Sequence, residues 1–268
     1  MSIQVISDLH LEAPKAYDVF QITAKAPCLA LLGDVGNVVS HKDDCLAFLT
    51  RQLGQFRVVF FPETLRTLRA FEEAVSENAS LGAFVLLDRT TFRLPDSNII
   101  ILGYSLFSHV PQENHQAVSF GLNDFFHTSG WDVDAHNEAH RRDLAWLNSE
   151  VAALEHSDVE IVILTHWSPS TDIRAVDTRH VRSPITCAFS TYIMWAFGHT
   201  HFNCDFKVGR RASAQPLRVI ANQRGYYFSQ AAAQNDPTVS ASAQIYNRSS
   251  GGKAAKRVKL SAFAIVLV

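Results

Sequence analysis

The sequence predicts an α/β protein, and three observations point that way. Short aliphatic and β-branched runs recur along the 268 residues. The early runs alternate with stretches of helical period. Several runs end abruptly in Asp or His. Apolar runs of strand length bounded by turn residues read as buried strands, and apolar residues spaced by three and four read as the helices that cover them. Polar donors placed just past strand ends suit an open α/β sheet, where ligands collect outside the carboxyl edge.

In chain order, Ile3-Gln4-Val5-Ile6 gives a first strand near 3–7 that runs into Asp8-Leu9-His10. Cys28-Leu29-Ala30-Leu31-Leu32 gives a second, near 28–33, ending in Gly33-Asp34, and a helix follows near 40–55. A third strand near 57–61 leads through Pro62 and Glu63 into a helix near 63–79. Leu65, Leu68, Phe71 and Val75 form its apolar stripe, and Pro is well tolerated in a first helical turn. Strands are expected near 83–87 and 99–103, and the long aromatic segment 104–135, which has no clear period, reads as a cap over the strand ends. A helix near 136–156 carries Leu144, Leu147, Val151 and Leu154 on one face, with Trp146 beside them. Ile161-Val162-Ile163-Leu164 lies in a strand near 159–165 that ends in Thr165-His166. Ile193-Met194-Trp195-Ala196-Phe197 lies in a strand near 193–198 that ends in Gly198-His199-Thr200-His201. Strands near 203–208 and 217–221 complete a domain over 1–228. Residues 229–253, rich in Ala, Gln, Ser, Asn and Gly, read as a mobile segment. The basic cluster Lys253, Lys256, Arg257 and Lys259 then leads into a possible last strand within 263–268.

A single His at a strand end is ordinarily structural, and a single Gly-Asp is ordinarily a turn. Joint occurrence changes the balance. Asp8 and His10 are two apart, as are His199 and His201, and alternate residues of an extended segment share a face. Carboxylates combined with imidazoles suit borderline divalent metals: Mn, Fe, Co, Ni or Zn. His41, after Gly33-Asp34-Val35-Gly36-Asn37, and His109, after the strand near 99–103, are read as solvated or structural.

The order Asp-x-His, Gly-Asp-x-x-Asn, then a distant Thr-His and a Gly-His-x-His, resembles the calcineurin-like metallophosphoesterase family. The likeness covers most of the domain. Leu122-Asn123-Asp124-Phe125, Trp131, His136, Asn137, His140 and Trp146-Leu147 resemble one lineage within it. The resemblance implies a four-layer α/β/β/α sandwich of two mixed β-sheets flanked by helices, with two divalent metal ions at the strand ends. It places Asp8, His10 and His201 on the first metal, Asp34 as the bridge between both, and His166 and His199 on the second. The implied reaction is hydrolysis of a phosphomonoester or phosphodiester by a metal-bridging hydroxide, with a small phosphorylated substrate as the partner. It also implies that Asn37 orders its loop. Asn222, Arg224 and Gly225 match the family's Asn-x-Arg-Gly tail, where Arg224 reads as structural rather than as a phosphate ligand.

One departure matters chemically. The family places Gly-Asn-His-Glu/Asp after the third strand, its Asn completing the second metal site and its His assisting the leaving group. Here Arg57-Val58-Val59-Phe60-Phe61 runs straight into Pro62-Glu63-Thr64-Leu65. The second metal keeps Asp34, His166 and His199; three protein ligands can hold a catalytic metal, so this site is expected to be the weaker one. Asp34, His199 and Glu63 are the expected catalytic residues, Glu63 as a stand-in ligand or acid. The alternative is a weak or inactive member that uses the same fold as a binding platform.

Composition is compatible with these expectations. A net charge of −2 and a pI near 6.6 give no general case for nucleic-acid binding. Among the four cysteines no C-x-x-C pair occurs, and Cys28 and Cys45 read as core thiols of a reducing compartment. Apolar runs fall well short of the ~20 residues that span a bilayer. With a metal-ligand strand at the start in place of a leader, the expected location is the cytoplasm, with a nucleocytoplasmic distribution as the variant.

Overall fold

A computed structural model describes residues 1–62, 66–121, 125, 130–154, 157–169, 173–175, 196–208, 217–225 and 264–267. Its strands are β1 (Ser2–Ile6), β2 (Cys28–Leu31), β3 (Val58–Phe61), β4 (Ala83–Leu86), β5 (Thr90–Arg93), β6 (Ile99–Tyr104), β7 (Glu160–Thr165), β8 (Ala196–Phe197), β9 (Cys204–Val208), β10 (Leu217–Ala221) and β11 (Ala264–Leu267). The helices are α1 (Lys42–Leu53), α2 (Arg66–Ser76), α3 (His115–Gly121) and α4 (Val133–Leu154).

The strands form two sheets, in the orders β11-β1-β2-β3-β4 and β5-β6-β7-β8-β10-β9. The expectation of two mixed sheets is corrected for the first: all four of its pairings are parallel. Helices α1 and α2 make the crossovers from β2 to β3 and from β3 to β4, and strands of a parallel sheet can be buried on both faces, as the unbroken burial of β2 and β3 shows. The second sheet is mixed, since β5 and β9 run antiparallel to their neighbours.

Side chains alternate between faces along each strand, and that alternation sorts the core into layers. Ile3, Val5, Cys28, Ala30, Leu32, Val58, Phe60, Val85 and Leu87 of the first sheet meet Ile99, Ile101, Leu164, Ala196 and Ile220 of the second in one buried cluster. On the other face of the first sheet, Leu29, Leu31, Val59, Phe61, Phe84 and Leu86 pack on Cys45, Phe48, Leu49 and Leu53 of α1 and on Leu68 and Val75 of α2. On the outer face of the second sheet, Ile100, Leu102, Ile163, Phe197 and Val219 pack against Leu147 of α4. The layers therefore run helix, sheet, sheet, helix.

Helix α4 departs from its expected stripe. Its first half buries His136, Ala139, His140 and Asp143, with Leu147 following and Leu144 only half-buried. The polar members hold the segment after β6. Asp143 accepts from the Leu106 amide and from Arg89, Asn137 bonds both the amide and the carbonyl of Val110, and His140 Nδ1 bonds the Phe107 carbonyl. His136 Nε2 lies 3.1 Å from Ser108 Oγ. A segment without hydrophobic period is thus ordered by four polar side chains on about two turns of the helix, each satisfying backbone or hydroxyl groups that burial would otherwise leave stranded.

Burial, followed by the neighbouring His140, pushes the His136 imidazole down to about 4. A folded pKa below the unfolded one means that the unfolded chain takes up the proton first. The resulting stability is present above about pH 6.5 and is lost as pH falls towards about 4. Metal-free protein is expected to lose about 2–3 kcal/mol through this group across that window. Urea midpoints on both sides of the window test it: the loss should shrink in His136→Phe, and an equal loss in both proteins would assign it elsewhere.

Among the described residues no helix is long and apolar enough to cross a membrane. The expected strands and helices at 193–195 and 63–65, and the mobile segment and basic cluster within 229–259, lie outside the described residues.

Candidate metal centre

Four strand ends deliver the six expected donors to one place. Asp8 and His10 follow β1, Asp34 follows β2, His166 follows β7, and His199 and His201 follow β8. The tips are tied together beyond the sheets: the Asp8, His10 and Leu11 amides bond the carbonyls of Gly33, Asp34 and Val35, and the Gly198 amide bonds that of His166.

The extended i, i+2 geometry expected of these donors is not the one the loops adopt. Asp8, His10, Asp34, His199 and His201 all have positive φ, between 45° and 68°. Left-handed backbone turns Asp8 and His10 into the site while Leu9 between them is fully buried in the core. Each such residue costs about 1 kcal/mol or more, and five of them lie together at this point. Close approach is bought with glycine at two positions. A Cβ on Gly33, itself at φ +88, would stand 2.3 Å from His166 Nδ1, and one on Gly198 would stand 2.7 Å from Asp8 Oδ2.

Two groups of ligand atoms result. Asp8, His10, Asp34 and His201 each offer an atom within 4.8 Å of the others; Asp34, His166 and His199 do the same. Asp34 belongs to both. In the first group His10 Nε2 lies 3.1 Å from His201 Nε2, and His201 Nε2 lies 3.2 Å from Asp8 Oδ1. In the second, His199 Nδ1 lies 3.0 Å from His166 Nε2. Asp34 Oδ2 stands between, 3.8 Å from His10 Nε2 and 3.7 Å from His166 Nε2.

Tautomers favour metal ligation. His166 Nδ1 donates to the Leu32 carbonyl at 2.7 Å, so its Nε2 presents a lone pair to Asp34 and His199. His10 Nδ1 faces Glu12 Oε1 at 3.5 Å, which aims its Nε2 lone pair in the same way. The His199 amide donates to both oxygens of Asp8 at 3.0 Å. Burial works to raise the Asp8 carboxyl, but its bond to His201 and the nearby His166 outweigh burial and hold it below the usual range. Burial drives the His199 imidazole well down, as do His166 and His201, so it is neutral at pH 7 and able to ligate. Anionic carboxylates and neutral imidazoles are the protonation states that a divalent ion requires. Each of the two donor groups could hold a metal ion.

The two groups differ in setting. Asp34 and His201 keep 40% and 29% of their side-chain surface, which leaves the centre open on that side. His166 and His199 lie beneath Trp167, whose ring centroid is 3.7 Å from that of His199. Trp167 packs with Val110, Val118 and Val133, and with Phe107 and Phe125, so the described part of 104–135 walls the second group. Asn37 caps its own loop through the Val39 and Ser40 amides, as expected. His41 pairs with Asp44, and His109 lies by His140, both away from the donor groups. Arg224 donates to the Leu9 carbonyl and lies over Phe20. Glu63 falls outside the described residues.

Sequence reasoning missed Glu12, Trp167 and Gln223. Glu12 had a signal, being a carboxylate two residues past His10, and Gln223 occupies the variable position of Asn-x-Arg-Gly. Trp167, next to His166, had none beyond adjacency. No protein-family model, curated protein or solved structure matches the chain.

Proposed function

We propose that this chain is a metal-dependent phosphoesterase with the calcineurin-like metallophosphoesterase fold. It would act on a phosphomonoester or phosphodiester and hold two divalent ions, the second more weakly. The observation that carries the proposal is the pair of donor groups sharing Asp34. A metal pair of this kind supplies a hydroxide nucleophile at neutral pH and neutralises phosphoryl oxygens.

The chain's own residues have distinct tasks. Asp34 fixes the spacing between the two sites by belonging to both. Asp8, with its carboxyl held ionised, and His10, oriented by Glu12, define the first site together with His201. His166, locked in one tautomer by Leu32, and His199, kept neutral by burial, define the second. Substrate would approach from the Asp34 and His201 side, where those side chains keep 40% and 29% of their surface, while Trp167 stacks on His199 at the other.

Protein loaded with Mn²⁺ or Zn²⁺ is expected to release nitrophenolate from p-nitrophenyl phosphate or from its bis ester. Chelation should stop the release and added metal should restore it. Protein that takes up both ions yet cleaves neither ester would turn the assignment to a binding platform.

A further inference from the structure

We propose that Asn222, Gln223 and Arg224 form a brace that sets the spacing of the first donor group, making Gln223 and Arg224 positioning residues for the metal held there. The proposal rests on the two groups being a metal centre and adds to it the residues that keep one of them assembled.

The first group is drawn from two loops far apart in sequence: Asp8 and His10 from the end of β1, and His201 from the end of β8. The three-residue segment after β10 runs between these loops and bonds both. Towards the first, the Ser7 amide donates to the Asn222 carbonyl and the Arg224 amide to the Ser7 carbonyl, both at 3.0 Å, in a parallel bridge centred on Gln223. Asn222 Nδ2 donates to the Val5 carbonyl at 2.8 Å, and the Arg224 guanidinium to the Leu9 carbonyl at 2.7 Å. Leu9 is the residue between the two ligands, and both ligands have left-handed backbone, so this bond holds the peptide in the conformation that aims them.

Towards the second loop, Gln223 Nε2 donates to Thr200 Oγ1 at 3.1 Å and to the Phe202 carbonyl at 3.0 Å, residues that flank His201. The Gln223 amide donates to Asn203 Oδ1 at 2.6 Å. Gln223 is 6% exposed, so these bonds are shielded from competing water. The second group is anchored differently, with His166 on Leu32 and His199 between Asp8 and Trp167. The brace should therefore act on one site more than on the other.

Calorimetric titration of the full chain with Co²⁺ alone tests this. The step lost in His201→Ala reports the first site and the step lost in His166→Ala the second. Gln223→Leu keeps side-chain size and removes the donor; it should weaken the first step by roughly 10–100-fold, the usual effect of an outer partner of a ligand, and leave the second nearly unmoved. Arg224→Lys and the isosteric Thr200→Val should shift the first step in the same direction by less, and they carry the test if Gln223→Leu does not fold. Thermal midpoints of the metal-free variants complete it. Parallel weakening of both steps with a lowered midpoint would reduce the segment to general scaffolding and overturn the proposal, as would an unchanged first step. Wild-type protein that binds no Co²⁺ would instead remove the metal centre, and the brace with it.

Discussion

Asp34→Asn is expected to abolish binding of both metal ions while leaving the fold intact. Asparagine keeps the size of the side chain and one carbonyl oxygen but loses the negative charge and the second anionic oxygen. Asp34 alone belongs to both donor groups, so one substitution removes a ligand from each. The second group falls to two described donors, His166 and His199, and the first loses one of its two carboxylates. Even an outer partner of a metal ligand is worth roughly 10–100-fold in affinity, and a shared anionic ligand should exceed that at each site. The side chain is 40% exposed and asparagine matches its size, so the melting temperature of the metal-free protein should hardly change. His10→Ala should remove the first ion alone and His199→Ala the second alone. Retention of both ions by Asp34→Asn would mean that Asp34 bridges nothing.

The fold was legible wherever burial on both faces wrote an unbroken apolar run. β2, β3 and β6 announce themselves in this way, β1 despite the buried Gln4 and β7 despite its half-buried first half, and α1 by its spaced apolar positions. β5 was not legible, because Thr90-Thr91-Phe92-Arg93 contributes one large apolar side chain and alternates between half-buried and exposed. Its pairing with β6 depends on turns at Arg89 and Asp96, both at positive φ without glycine. α3 buries only Val118, too little for a period. In α4 the buried face begins with His136, His140 and Asp143, and no hydrophobic scale would place those residues inside. Their burial depends on hydrogen-bond partners in 105–110, a relation between segments that no local pattern contains.

The donor set was legible for a different reason. Each donor follows a strand, and the strand ends meet at one place. The residues that prepare those ligands were less visible, because Glu12, Leu32, Trp167 and Gln223 act through contacts that only the assembled loops create. The backbone of the ligand loops was misread outright. An extended i, i+2 geometry would also have pointed Asp8 and His10 to one side, but both residues have left-handed backbone, and the carbonyl of Leu9 between them accepts from Arg224.

Esters of good leaving groups are expected to be cleaved far faster than alkyl esters, and the contrast should exceed what a phosphoesterase with a proton donor shows by about 10²–10⁴-fold, the usual worth of general acid catalysis. Among the described residues, the other imidazoles are held elsewhere: His41 beside Asp44, His115 near Asn137, His136 on Ser108, and His140 on the Phe107 carbonyl with His109 alongside. The place where the resemblance would put an Asn-His pair follows β3, which ends in the buried Phe61 and Pro62. A departing nitrophenolate is stable without a proton, whereas an alkoxide is not, so the lack of a free donor imidazole among the described residues should fall almost wholly on the alkyl ester. Comparing kcat/KM for p-nitrophenyl phosphate and an alkyl phosphate measures the contrast. Inserting Gly-Asn-His after Phe61 should narrow it, chiefly by raising the alkyl rate, and should tighten the second metal through the added Asn. A small contrast in the wild-type chain would show that another acid already serves, and Glu63→Gln would then identify it: a collapse of the alkyl rate alone would assign the proton to Glu63.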